Sequence, residues 1–81
     1  MKQFTVQPKS KILAYAISSD LEDLIVEEYE LTKIDPNYWR TRTGRAYIER
    51  INNEYRVFAA NGNYVTFSKS FRLAAMRANQ I

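Results

Sequence analysis

The chain has 81 residues, of which 46% are hydrophobic and 14% aromatic. That composition describes one small folded domain rather than a disordered chain. It holds no cysteine and no histidine, which removes disulfides, thiolate nucleophiles, the common zinc ligands and the near-neutral general base. The net charge is +3, but residues 1–38 set four lysines against seven carboxylates, while residues 39–81 set seven arginines and one lysine against two. Such a split points to a polyanionic partner, or to self-association between opposite faces.

No apolar run approaches the roughly 18 residues of a membrane span, and no secretory h-region follows Lys2. The expectation is a cytoplasmic protein that needs no membrane and no cofactor.

In chain order, Phe4 and Val6 alternate with polar residues as a short strand before Pro8. Ile12 to Ile17 reads either as a second strand or as a backward extension of the helix that follows, since Leu13 and Ile17 continue its apolar stripe. The strand is preferred, because the helix-start signal comes afterwards. That signal is Ser19-Asp20-Leu21-Glu22, a capping-box pattern. Leu21, Leu24, Ile25 and Tyr29 then make an amphipathic helix over residues 20–31. Asp35-Pro36-Asn37 opens a loop that runs through Gly44.

Residues 46–67 predict a three-stranded antiparallel meander. Ala46–Ile51, Glu54–Ala60 and Asn63–Phe67 are β-prone and are separated by Asn52-Asn53 and Asn61-Gly62. Asn-Gly is the strongest two-residue hairpin signal, because a type I′ turn needs positive φ at both central positions. Two-residue loops would set Glu49 against Arg56, Tyr47 against Phe58, Phe58 against Val65 and Arg56 against Phe67. One face then carries Tyr47, Glu49, Ile51, Arg56, Phe58, Val65 and Phe67. The other carries Ala46, Ile48, Arg50, Tyr55, Val57, Ala59, Tyr64 and Thr66, and which of the two is covered stays open. Ser70 is a good N-cap, and alanines favour a final helix over about 70–79. The expected class is α+β in one domain, residues 1–81: a small antiparallel sheet, comprising the meander and an N-terminal strand or hairpin, packed with two helices.

Three groups of residues could carry function. Tyr38-Trp39-Arg40-Thr41-Arg42-Thr43-Gly44-Arg45 mixes aromatics and arginines, which suit base stacking and bidentate phosphate contact. The bland alternative is a Trp39 that caps the core beside solvated arginines. Arg50, Tyr55 and Tyr64 share one sheet face that could hold single-stranded nucleic acid or a protein, or could simply pack on a helix. Asp20, Asp23, Glu27 and Glu30 form a narrow acidic stripe at helical spacing, able to dock on a basic partner or to remain a solvated face. Glu49 opposite Arg56 is a conceivable acid–base pair, but such pairs ordinarily stabilise sheets. Asp20, Glu22 and Asp23 lack calcium-loop spacing.

The reading is therefore a non-enzymatic regulator with no metal, contacting nucleic acid through Trp39, Arg40, Arg42, Arg45, Arg50 and Arg56. The alternative is an accessory protein of the phage or mobile-element kind. It would inhibit a host protein through Asp20, Asp23, Glu27 and Glu30, or through Tyr55 and Tyr64. A homodimer is also expected, joined through the Tyr55/Val57/Tyr64 side with Asp23 or Glu27 near an arginine of the second copy.

Overall fold

The computed structural model describes residues 13–81, with side chains from residue 21 onward. The strand expected at Phe4 and Val6 lies outside the described residues. Seven elements follow in order: α1 (Leu13–Glu28), β1 (Thr32–Asp35), β2 (Tyr38–Arg40), β3 (Ala46–Ile51), β4 (Glu54–Ala59), β5 (Tyr64–Ser68) and α2 (Phe71–Asn79). The strands form one antiparallel sheet in sequential order β1-β2-β3-β4-β5. The α+β class, the meander and the two helices are as the sequence indicates.

Residues 13–17 are helix, not strand, which corrects the first ambiguity. No turn residue separates them from Leu21, so the apolar stripe outweighs the capping-box pattern at Ser19, and serine is tolerated in a helix interior at small cost. The helix also stops before residue 31. Leu31 donates its N–H to the Val26 carbonyl at 2.9 Å and Glu30 to that of Glu27 at 3.2 Å, with Glu30 at φ 56. This is a Schellman end in which Glu30 takes the left-handed position usually given to glycine. Leu31, the next residue, is buried.

The expected loop from Asp35 to Gly44 contains β2 instead, and the residues just before it form β1. The Asp35 carboxylate accepts the Asn37 N–H at 3.1 Å and so closes a tight β1–β2 turn. Buried Thr41 bonds both ways across the next turn, its hydroxyl reaching the backbone N–H and the carbonyl of Ala46 at 3.3 Å each. Polar side chains thus supply turn bonds that composition alone does not reveal.

The β3–β4 hairpin has the expected register throughout, from Ile51↔Glu54 to Tyr47↔Phe58. Asn52 and Asn53 adopt φ 53 and 65, as a type I′ turn requires. The Asn61-Gly62 turn differs. Ala59 accepts from Gly62 N–H at 2.9 Å and donates to the Asn63 carbonyl at 2.8 Å, so three residues form the loop and Gly62 alone has positive φ. The extra residue reappears as a bulge: Val57 faces Thr66, but Phe58 faces Tyr64 rather than Val65. Tyr64 thereby crosses to the Phe58 side, and the two rings meet edge to face at 5.9 Å.

Both helices lie on one face of the sheet. Ser70 accepts from Leu73 N–H and caps α2, which buries Phe71, Ala74, Ala75 and Ala78 against β3, β4 and β5. The facing positions are Trp39, Ala46, Ile48 and Val57, all at 0% exposure. A short side chain on either side lets the helix approach closely. Trp39 and Tyr55 of the same face flank Phe71 at the start of α2. The Tyr55/Val57 side is consequently occupied within the chain, and the expected dimer contact through it does not stand.

Candidate functional site

The face of the sheet that no other described element covers is the candidate site. Period-two alternation places Arg40, Tyr47, Phe58 and Tyr64 in one cross-strand row, and Tyr38, Glu49, Arg56 and Phe67 in the next. Tyr38 and Tyr47 lie diagonally across β2 and β3 with rings parallel within 5° and centroids 5.5 Å apart. Tyr64 is 55% exposed and Phe67 is 51% exposed. A water-facing sheet surface ordinarily alternates to polar residues, whereas this one keeps five aromatic rings. A hollow of about 400 Å³ opens among Tyr38, Tyr47, Glu49, Phe58, Ala59, Ala60 and Gly62.

The charges on this face nearly cancel, but they are not all engaged. Arg56 donates to Glu54 at 2.9 Å and not to Glu49, its cross-strand neighbour. Among the described residues Glu49 joins no ion pair and accepts no side-chain hydrogen bond. The Tyr38 hydroxyl is pushed above its ordinary value, first by burial and then by Tyr47, Glu49 and Asp35, so it stays neutral at physiological pH. The cationic surplus sits at one end. Arg40 pairs with Tyr47 in the ladder, and the Arg45 carbonyl accepts from Ala60 N–H at 2.9 Å. Both side chains are exposed and in no ion pair among the described residues. Arg42 reaches Glu30 at 2.9 Å, but a pair that exposed contributes little.

Two of the expected contact residues are structural. Trp39 is fully buried, 4.6 Å from Phe71 between ring centroids, and its Nε1 finds no partner among the described residues. It is a core residue and cannot stack on a ligand base. Arg50 lies on the helix-covered side. It donates to Asn37 Oδ1 at 2.9 Å, the Pro36 carbonyl at 3.1 Å and Glu22 at 3.3 Å, and its guanidinium lies 5.5 Å from the Trp39 ring centre. Its pKa is held above the ordinary value, first by the hydrogen bond with Tyr55, with burial opposing and Glu22 adding. Glu22 is the carboxylate that Arg50 reaches. Tyr55 itself stacks on Phe71 at 4.9 Å. Arg50 and Tyr55 are therefore separated from Tyr64, which the bulge places on the open face.

The acidic helix is partly answered from within the chain. Glu22 pairs with Lys33 and Arg50, Glu28 with Arg72 at 2.7 Å, and Glu30 with Arg42. Asp23 and Glu27 are exposed and join no ion pair among the described residues. Asp20 lies outside the residues whose side chains are described. The opposition of acidic and basic halves is thus partly intramolecular docking of α1 on α2 and the sheet. Sequence reading overlooked Tyr38, Tyr47, Phe58 and Phe67 as a group. Their available signal was bulk: every large ring of β3 and β4 except Tyr55 falls on one face.

Among the described residues no three potential metal ligands converge, and no helix is long and apolar enough to cross a membrane. No family model, curated protein or solved structure matches the chain.

Proposed function

We propose that this protein is a non-enzymatic regulator that binds single-stranded nucleic acid on the open face of its sheet. The observation that carries the reading is the parallel Tyr38–Tyr47 stack on the sheet face that no other described element covers, beside Arg40 and Arg45. Bases would lie on the Tyr47, Phe58 and Phe67 rings, each stacked base contributing about 1–3 kcal/mol. Phosphates would run along Arg40, Arg42 and Arg45, with Arg56 on the far side. A single strand suits this surface better than a duplex, because stacking on a flat sheet requires bases that are splayed out.

The test is anisotropy of labelled single strands across a salt series. Affinity should fall with salt at a log–log slope of about −0.7 per phosphate contact. Arg40→Ala with Arg45→Ala should flatten that slope without lowering the melting temperature. If no DNA or RNA of either strandedness is retained at low salt, the reading fails in favour of a protein partner. The exposed Leu24, Leu73 and Met76 on the helices and Phe67 on the sheet would then be the apolar contacts to examine.

A further inference from the structure

We propose that the hollow beside Glu49 recognises a single guanine base, with Glu49 as the residue that sets specificity. This deepens the single-strand reading and rests on it.

A carboxylate is out of place on a surface that only tracks phosphates, since it repels them. Glu49 nonetheless sits in the middle of β3, between Tyr38 on one neighbouring strand and Arg56 on the other. Arg56 is positioned by the ladder to neutralise it, yet turns to Glu54 at 2.9 Å. The Glu49 carboxylate therefore keeps its acceptor capacity while half-buried in the wall of a hollow of about 400 Å³. Tyr47 and Phe58 line the same hollow and supply apolar ring faces. Arg40, opposite Tyr47, stands where the phosphate of a stacked nucleotide would come.

The chemistry of the bases then selects one. An ionised carboxylate only accepts hydrogen bonds, through two oxygens side by side. Guanine alone presents two adjacent donors on its Watson–Crick edge, N1–H and the 2-amino group. Adenine and cytosine each place an acceptor nitrogen next to their amino group. Thymine and uracil flank their one N–H with carbonyl oxygens. Each of these sets a lone pair against the carboxylate, and polar groups left unpaired in a partly dry site are penalised. Single-stranded bases are commonly read on this edge.

The experiment is an anisotropy titration of short labelled oligothymidylates that carry one central guanine, hypoxanthine, adenine or cytosine, with ribonucleotide counterparts. Hypoxanthine differs from guanine only in lacking the 2-amino group. Wild-type protein should bind the guanine strand on the order of tenfold more tightly than the hypoxanthine strand, the size of one lost hydrogen bond to a charged group. Glu49→Gln keeps the shape but offers a donor in place of one acceptor. It should lose that preference, binding the guanine and hypoxanthine strands equally, and should melt as the wild type does. Equal binding of all four strands, or a guanine preference that survives in Glu49→Gln, overturns the assignment of Glu49 and leaves the stacking platform intact. No binding of any strand at low salt overturns the platform, and the guanine site with it.

Discussion

The two faces of the sheet share the same strands and the same alternation, yet α2 covers one and no described element covers the other. Ala46, Ile48 and Val57 are fully buried beneath α2, while Tyr47 and Phe58, each the sequence neighbour of one of these, remain partly exposed. Hydrophobicity does not separate the faces, since both are rich in apolar atoms. The size of the side chains directly beneath the alanines of α2 does, while Trp39 and Tyr55 of the same face pack around Phe71. The alanines of α2 need a shallow surface, which Ala46, Ile48 and Val57 provide and the tyrosine and phenylalanine rings do not. The ring-bearing face is left as a surface with aromatic area and few obligations to the core.

The sharpest way to break this comparison is one large truncation on each side. Trp39→Ala should lower stability by about 3–5 kcal/mol, read from the urea midpoint, because it empties a fully enclosed site in a small core. Phe67→Ser should change stability by no more than about 0.5 kcal/mol, yet weaken single-strand binding. An equal loss of stability in both would show that the open face belongs to the core.

The arginines divide in the same way. Arg50→Ala should cost about 1–3 kcal/mol by removing hydrogen bonds that tie β3 to Asn37, Pro36 and Glu22. The Arg50 side chain remains 32% exposed and its Glu22 pair is partly screened, so the lower half of that range is expected. Single-strand affinity at a temperature where Arg50→Ala is folded should be unchanged. Arg40→Ala should show the reverse, with wild-type unfolding and weaker binding.

The smallest effect separates the two faces by pH. Tyr38 has a folded pKa above its ordinary 10.0, chiefly from burial. The neutral phenol is thus favoured in the folded state. Its contribution to stability is complete below pH 10 and is lost as pH rises through the folded pKa. Tyr38→Phe should therefore lose less stability than the wild type over that alkaline range, measured by thermal unfolding at successive pH values. Identical curves would place Tyr38 in open solvent.

The sequence by itself determined the features whose causes are local. Asn52-Asn53 specified a type I′ turn and with it the whole β3–β4 register, because two left-handed residues in a row leave one hairpin geometry. Ser70 and the alanines after it specified α2, and the absence of cysteine and histidine narrowed the chemistry. Features whose causes are distant were decided by the tertiary structure. Glu30 ends α1 in a left-handed conformation held partly by the burial of Leu31, a reason invisible without the core. β1 and β2 are short strands that form because β3 offers a ladder and Trp39 finds a cavity beside Phe71. The bulge at Val65 moves Tyr64 from the covered face to the open one. The candidate site belongs to this second kind. Tyr38, Tyr47, Phe58 and Phe67 lie far apart in the sequence, and only the strand pairing, with α2 on the opposite side, gathers them on a face that no other described element covers.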